Sequence, residues 1–171
     1  GSGRWIKGGK LAVKRLQKLR SRIAEKSLDA LLVSHPENLR YLSGFSGSSG
    51  WLFISEEHAF LATDFRYTEQ ARKEAPDFEV VQIKGGVSHW LGELIASPGC
   101  HRLGFESGLS FASYQELGEA AKTMPDLELC PTTSMVEYLR SIKEAEELEL
   151  ISQAVKLTDA AFEYLGTIIH P

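Results

Sequence analysis

Short apolar runs alternate with amphipathic segments from about residue 10 to residue 130, and this alternation most constrains the fold. The first segment has apolar residues at a helical spacing. The run 29–33 that follows it is short and continuous, which is typical of a buried strand. Two later runs, 51–54 and 59–63, are separated by four residues, a spacing that predicts a β-hairpin. Because a hairpin is antiparallel, we predict an α/β fold around a mixed sheet.

Length and charge limit the function classes. The 171 residues suit one domain with a short extension, and 43% hydrophobic residues can bury a core. The net charge of −4 argues against general nucleic-acid binding. The basic segment 7–22 fits the solvated face of a helix with Leu16, Leu19 and Ile23 on its apolar side. No apolar stretch of about 18 residues and no signal-like run occur, so we expect no membrane span and a cytoplasmic protein.

The C-terminal segment 134–171 has a different pattern. Ser134 with Glu137, and Ser141 with Glu144, each have the form of a capping box, which predicts a helix, a break near residue 140 and a second helix. We expect the natural partner of the second helix to be a further domain, without which the helix dimerises or packs back on its own domain. The reason is a regular stripe, apolar except for its threonine: Leu148, Ile151, Val155, Thr158, Phe162, Leu165 and Ile169.

Two polar segments are candidate binding sites. The loop 44–50 contains three glycines and three serines, but it follows a predicted helix, precedes a strand and has no lysine. A phosphate-binding loop has the opposite order, so a nucleotide site is disfavoured against a tight turn or a loop that lets a peptide approach closely. The segment 63–67 lies where a strand ends and a helix begins, a common place for functional residues. The ordinary interpretation has Asp64 capping that helix and Arg66 pairing on its surface.

No residue pattern indicates a self-sufficient catalytic centre. The five histidines are scattered, and the two cysteines, Cys100 and Cys130, are far apart and expected to be reduced thiols. Neither a metal-ligand motif nor a nucleophile elbow is present. We therefore predict no catalytic residue and no metal ligand within this sequence.

Three stretches in order resemble the N-terminal domain of the creatinase, prolidase and aminopeptidase P family of Xaa-Pro peptidases. They are NLRYLSGFSGSSG at 38–50, ATDFRYTEQA at 62–71 and LRSIKEAEE at 139–147. The third is similar to the family's junction between two domains. The match extends from about Leu16 to Pro171.

The resemblance implies a domain layout. Residues 10–133 would be the family's N-terminal domain, a mixed sheet with helices on both faces. Residues 134–171 would be an inter-domain helix and the first helix of a truncated pita-bread catalytic domain. Two divalent metal ions (Mn, Co or Zn) and the catalytic residues would lie beyond Pro171, so the chain alone would be inert as a metal-assisted peptidase. Residues 1–9, which open on Gly-Ser-Gly and lack any periodic pattern, are interpreted as an expression remnant.

The resemblance also implies roles for the two polar segments. Family members are dimers or larger, and in several of them the loop after the Gly-Phe pair reaches the neighbouring subunit's site. We therefore expect a homodimer that acts on proline-containing peptides. The uncharged loop favours an aminopeptidase P-like parent over a strict dipeptidase, and a stand-alone binding or regulatory module is the alternative. The expected substrate rim, which can act in trans, consists of Phe45, Ser46, Gly47, Ser48, Ser49, Asp64, Arg66 and Tyr67.

Overall fold

The computed structural model describes residues 9–96, 99–124 and 126–169. They form two compact units that divide between Leu139 and Arg140. Residues 1–8 of the predicted expression remnant lie outside the described residues, whereas Gly9 begins the first helix.

Helices and strands alternate in the described residues as the sequence predicts, and the hairpin is confirmed. Every strand expected from an apolar run is present within a few residues of its predicted position. The elements are α1 (Gly9–Glu25), β1 (Ala30–Val33), α2 (Pro36–Ser43), β2 (Trp51–Ser55), β3 (Ala59–Thr63), α3 (Thr68–Glu74), β4 (Glu79–Gln82), α4 (Val87–Ala96), β5 (Arg102–Glu106), α5 (Phe111–Lys122), β6 (Glu128–Thr132), α6 (Met135–Ser141) and α7 (Ala145–Ile168).

The six strands form one mixed sheet in the order β4-β3-β2-β1-β5-β6. β2 runs antiparallel to both of its neighbours, β1 and β3. The pairs β1–β5, β3–β4 and β5–β6 are parallel. Five strands therefore point the same way, and their C-terminal ends lie along one edge of the sheet.

Two hydrophobic cores cover the two faces of this sheet. Alternate residues of β1 enter different cores, because successive side chains of a strand point to opposite faces. Leu31 and Val33 pack in the core that holds residues of α1, α2, α3 and α6. Ala30 and Leu32 pack in the core that holds residues of α4 and α5. The prediction of helices on both faces is confirmed, and burial on both sides explains why this strand is a continuous apolar run.

β6 lies at one edge of the sheet and contains a proline. Glu128 at its start donates its N–H to His101 on the β5 side. Because successive residues of a strand alternate in direction, the nitrogen of Pro131 faces the free edge, where it has no hydrogen to donate. Proline is found in sheets at this kind of edge position.

The break between the last two helices is confirmed, but one predicted cap is wrong. Ser141 is the last residue of α6 and so cannot be the extended residue that opens α7. The capping box of α7 instead pairs Glu144 with Glu147: the Glu144 carboxylate accepts from the backbone of residue 147, and the Glu147 carboxylate accepts from the Glu144 N–H at 2.9 Å. The helix that this box starts has no buried residue, and its predicted stripe is exposed.

A pair of glycine substitutions tests how tightly the sheet packs. A Cβ atom on Gly104 in β5 would lie 2.7 Å from Leu28 Cδ1, whereas a Cβ on Gly118 in α5 would meet no atom within 4 Å. We expect Gly104→Ala to lower the free energy of unfolding by about 1–3 kcal/mol through overpacking. Gly118→Ala should raise it by about 0.5–1 kcal/mol, because alanine favours a helix. Urea unfolding of both variants measures these changes, and equal changes in the free energy of unfolding would contradict the tight packing around Gly104.

Candidate functional site

The structure brings the two predicted polar segments together at the C-terminal edge of the sheet. The loop after α2 and the turn after β3 meet there, because the start of β2 pairs with the end of β3. We call residues 46–49 and 64–67 together the rim surface. Its hydrogen bonds join segments about 20 residues apart in sequence, as between Ser48 and Tyr67, 19 residues later.

Phe45 supports the rim surface from beneath. Its ring is 1% exposed and meets the Tyr67 ring edge-on, with centroids 6.1 Å apart. The backbone of Gly47 lies so close that a Cβ atom there would overlap the Phe45 ring. The loop is therefore folded over Phe45, and this side chain reaches neither solvent nor a ligand from its present position.

The first half of the loop is fastened to α3. The Ser46 N–H donates to Glu74 Oε2 at 2.8 Å, and the Ser46 hydroxyl donates to the same carboxylate. Gln70 Nε2 donates to Ser46 Oγ at 3.0 Å and to Glu74. Burial alone would raise the pKa of Glu74, but the hydrogen bonds from Ser46 and Gln70 and the nearby charge of Arg40 outweigh it and lower the pKa.

The second half of the loop is fastened to the end of β3. Ser48 Oγ and Tyr67 Oη are 2.8 Å apart and share a hydrogen bond. The buried Thr63 hydroxyl donates to the Ser49 carbonyl at 2.6 Å. The loop is thus held at both ends, and its exposed groups keep a fixed arrangement.

The turn after β3 differs from its predicted role. α3 begins only at Thr68, with Tyr67 as its cap, so the interpretation of Asp64 as a helix cap is wrong. Asp64 instead accepts from the Arg66 N–H and from two guanidinium nitrogens, at 2.8 to 3.0 Å. The guanidinium hydrogen-bonded to Asp64 holds the pKa of that carboxyl below its usual value. Between the two, Phe65 is 74% exposed.

A buried polar cluster, which the sequence analysis missed, lies near the rim surface. Glu106 at the end of β5 is 8% exposed. Its Oε2 atom accepts from the N–H groups of Ser34 and His35, both at 2.7 Å, and from the Ser34 hydroxyl. Its Oε1 atom accepts from Asn38 Nδ2 at 2.7 Å, and the same amide donates to Glu137 on α6. The one signal in the sequence is an acidic residue that closes an apolar strand.

The described residues contain no group of three or more histidine, cysteine, aspartate or glutamate side chains that could hold a metal ion. Both cysteines are free, and burial raises the pKa of Cys100 to about 12, so its thiol is not a ready nucleophile. The rim carboxylate of Asp64 is already paired with Arg66. No helix among the described residues is long and apolar enough to cross a membrane.

Comparison with known proteins shows which family the sequence of this chain matches. Residues 15–142 match the family model described as Creatinase/Prolidase N-terminal domain. The uncharacterized peptidase YqhT of Bacillus subtilis is 35% identical over 158 residues, which are 92% of this chain and 44% of that protein. The chain therefore spans less than half the length of this relative.

Solved structures agree with this comparison. The Xaa-Pro dipeptidase from Bacillus anthracis superposes with a TM-score of 0.86 at 36% identity, over 94% of this chain and 44% of that chain. The N-terminal domain of the cytoplasmic peptidase PepQ from Mycobacterium tuberculosis superposes with a TM-score of 0.67 at 41% identity, over 74% of this chain and 98% of that chain.

Removal of the Glu106 carboxylate should cost more stability than removal of a solvated one. Glu106→Ala leaves two backbone N–H groups and the Asn38 amide without this acceptor, so we expect the free energy of unfolding to fall by about 2–4 kcal/mol. Glu116→Ala on the exposed side of α5 is the matched control, expected within about 0.5 kcal/mol of wild type. A Glu106 effect no larger than the control would contradict the role of this cluster.

Because the pKa of Glu74 is lowered, we predict that the hydrogen bonds between Ser46 of the loop and the Glu74 carboxylate add less stability in acid than at neutral pH. A carboxyl whose pKa is lower in the folded state adds stability above its unfolded pKa, and this is lost as pH falls through the folded pKa. We therefore expect Glu74→Gln to be less stable than wild type at neutral pH, and the difference to shrink in acid. Urea unfolding across that range measures it, with Glu116→Gln as control. A difference that does not change with pH would count against this assignment.

Proposed function

The chain belongs to the Creatinase/Prolidase N-terminal domain family, and from this premise we propose that it is the non-catalytic N-terminal part of a metal-dependent Xaa-Pro peptidase. The observation that carries the proposal is the match over most of the chain to proteins named as peptidases. The part that matches is under half of those proteins. The chemistry of peptide cleavage is assigned to the remainder of a longer protein.

Because the described residues contain no group of three or more potential metal ligands, the proposal assigns metal binding to the rest of a longer protein. The proposed parent would hold two divalent metal ions (Mn, Co or Zn) outside residues 1–171, and no catalytic step is assigned to side chains of this chain. The exposed stripe of α7 is consistent with a partner surface in the same longer protein. A cytoplasmic location is part of the same proposal.

In this proposal the rim surface gates the substrate. Hydrogen bonds at both ends preorganise the loop, which lowers the entropic cost of binding a peptide. Ser46 and Ser48 of the loop are exposed, and hydroxyl groups can hydrogen-bond to a peptide chain. In a homodimer this surface would serve the neighbouring subunit's active site, and Phe45 would contribute as the support beneath the loop.

The rim surface also favours one peptidase type. The loop 44–50 has no charged side chain to bind the free terminus of a dipeptide. The charged pair in the adjacent turn, Asp64 with Arg66, is already satisfied internally. We therefore propose an aminopeptidase P-like parent, which accepts longer peptides, over a strict dipeptidase. Relatives carry both kinds of name. A protein of Pyrococcus furiosus that is 28% identical over 148 residues is named Xaa-Pro dipeptidase, and one of Mycoplasma genitalium that is 27% identical over 146 residues is named putative Xaa-Pro aminopeptidase.

An activity assay tests the proposal. We expect this chain to leave a Xaa-Pro tripeptide intact with added Mn²⁺, and a chain extended to the length of its relatives to cleave it. Cleavage of tripeptides but not dipeptides would support the aminopeptidase P-like assignment. If the extended chain folds and binds metal but cleaves neither substrate, the alternative of a stand-alone binding or regulatory module is favoured. Cleavage by this chain alone would overturn the proposal.

A further inference from the structure

A cleft of about 300 Å³ lies beside the rim surface. Three stretches line it: residues 34–36 after β1, residues 48–51 at the end of the loop and the start of β2, and residues from Glu106 at the end of β5 as far as Ser113. All of them belong to the first unit and are described by the structure. The cleft shares Ser48 and Ser49 with the rim surface but extends away from the turn at 64–67.

The topology of the sheet creates this cleft. β1 and β5 are adjacent and parallel. Residues of α2, which follows β1, pack in one core, whereas residues of α5, which follows β5, pack in the other. The two connections therefore separate at the C-terminal ends of the strands and leave a crevice between them. Ligands of open α/β sheets bind at this kind of crevice.

The charges of the lining residues disfavour an ionic ligand. The Glu106 carboxylate already accepts four hydrogen bonds, so it is not available to bind a cation. No lysine or arginine occurs among the lining residues, all of which the structure describes, so a phosphate would find no such counter-charge. The lining also includes His35, whose Nδ1 atom is 2.7 Å from the Glu37 carboxylate and therefore already has a partner. A ligand that fits this cleft is therefore uncharged.

The remaining groups match an extended peptide. The serines of the lining make internal hydrogen bonds, as Ser34 does with Glu106, Ser48 with Tyr67 and Ser110 with Ser113. A hydroxyl oxygen has two lone pairs besides its one hydrogen, so these groups keep capacity for the alternating N–H and C=O groups of a peptide backbone. The lining also includes apolar surface from Pro36, Trp51 and Leu109. Polar groups together with an aromatic ring are typical of small ligand sites, and a volume near 300 Å³ is at the small end of their range.

We propose that this cleft binds an uncharged, extended segment of a peptide, a few residues long. This inference rests on the proposed function, in which the segment is the part of a longer substrate that extends away from the bond to be cleaved. The cleft then accounts for a preference for peptides longer than two residues.

An NMR titration of this chain tests the proposal. The probe is a proline-containing pentapeptide with an acetylated N-terminus and an amidated C-terminus, so that it has no charge. We expect saturable shifts at the amides of residues 49–51 and 108–110 and at the Trp51 indole. Inorganic phosphate should leave these signals unchanged. Shifts confined to other surfaces, or equal shifts with phosphate, would overturn the proposal.

A cleft-filling variant provides the matched comparison. Gly108 lines the cleft, and a Cβ atom there would meet nothing within 4 Å, so Gly108→Trp can occupy the space without strain at the backbone. Gly118→Trp, on α5 outside the cleft lining, is the control with equally open surroundings. We expect Gly108→Trp to raise the Kd for the pentapeptide at least about tenfold and Gly118→Trp to leave it unchanged. An unchanged Kd in a folded Gly108→Trp variant would refute the assignment.

The same variants in the extended chain separate this inference from the proposed function. If cleavage of a Xaa-Pro pentapeptide occurs with the same KM in wild type and Gly108→Trp, the peptidase assignment stands and the cleft proposal fails. If KM for the pentapeptide rises while KM for a tripeptide does not, both stand. Peptide binding to the cleft without any cleavage supports the cleft and contradicts the peptidase assignment.

Discussion

The burial of one carboxylate determines how the C-terminal edge of this sheet is arranged. Glu106 ends β5 but makes its hydrogen bonds to the connection after β1 and to α2, which are about 70 residues earlier in sequence. Its negative charge lies at the start of α2, where the helix dipole favours an anion. Through Asn38 it is joined to Glu137 on α6. One side chain therefore ties the end of β5 to α2 and, through Asn38, to α6 on the same face of the sheet, and it leaves the start of α2 with no need for an external anion.

The single antiparallel strand explains why the loop and the turn can act as one surface. In a wholly parallel sheet the start of one strand lies at the opposite edge from the end of its neighbour. Because β2 is reversed, the loop that enters it lies beside the turn that leaves β3. Short hydrogen bonds from Thr63 and Tyr67 then hold the loop in place. A hairpin of ordinary appearance in the sequence thus determines the geometry of the rim surface.

Periodic and local features could be predicted from the sequence, whereas distant pairings could not. The buried strand 30–33 and the hairpin follow from apolar spacing, because the pattern of burial is itself periodic. Ser141 and Glu144 have the same spacing as the pair that forms the cap of α7, Glu144 and Glu147, so spacing alone does not locate this cap. The Glu106 cluster depends on contacts across about 70 residues, and no local spacing encodes these. The two polar segments were grouped only through resemblance to a family.

Pro131 has a consequence for association between molecules. A second strand adds to a sheet edge by using the N–H and C=O groups that point outward. The nitrogen of Pro131 points outward from β6 and has no hydrogen, so that margin of the sheet is a poor template for a misfolded neighbour. β4, at the other margin, has no proline. Proline therefore hinders the addition of a further strand at the β6 margin of the sheet, and no proline does so at the β4 margin.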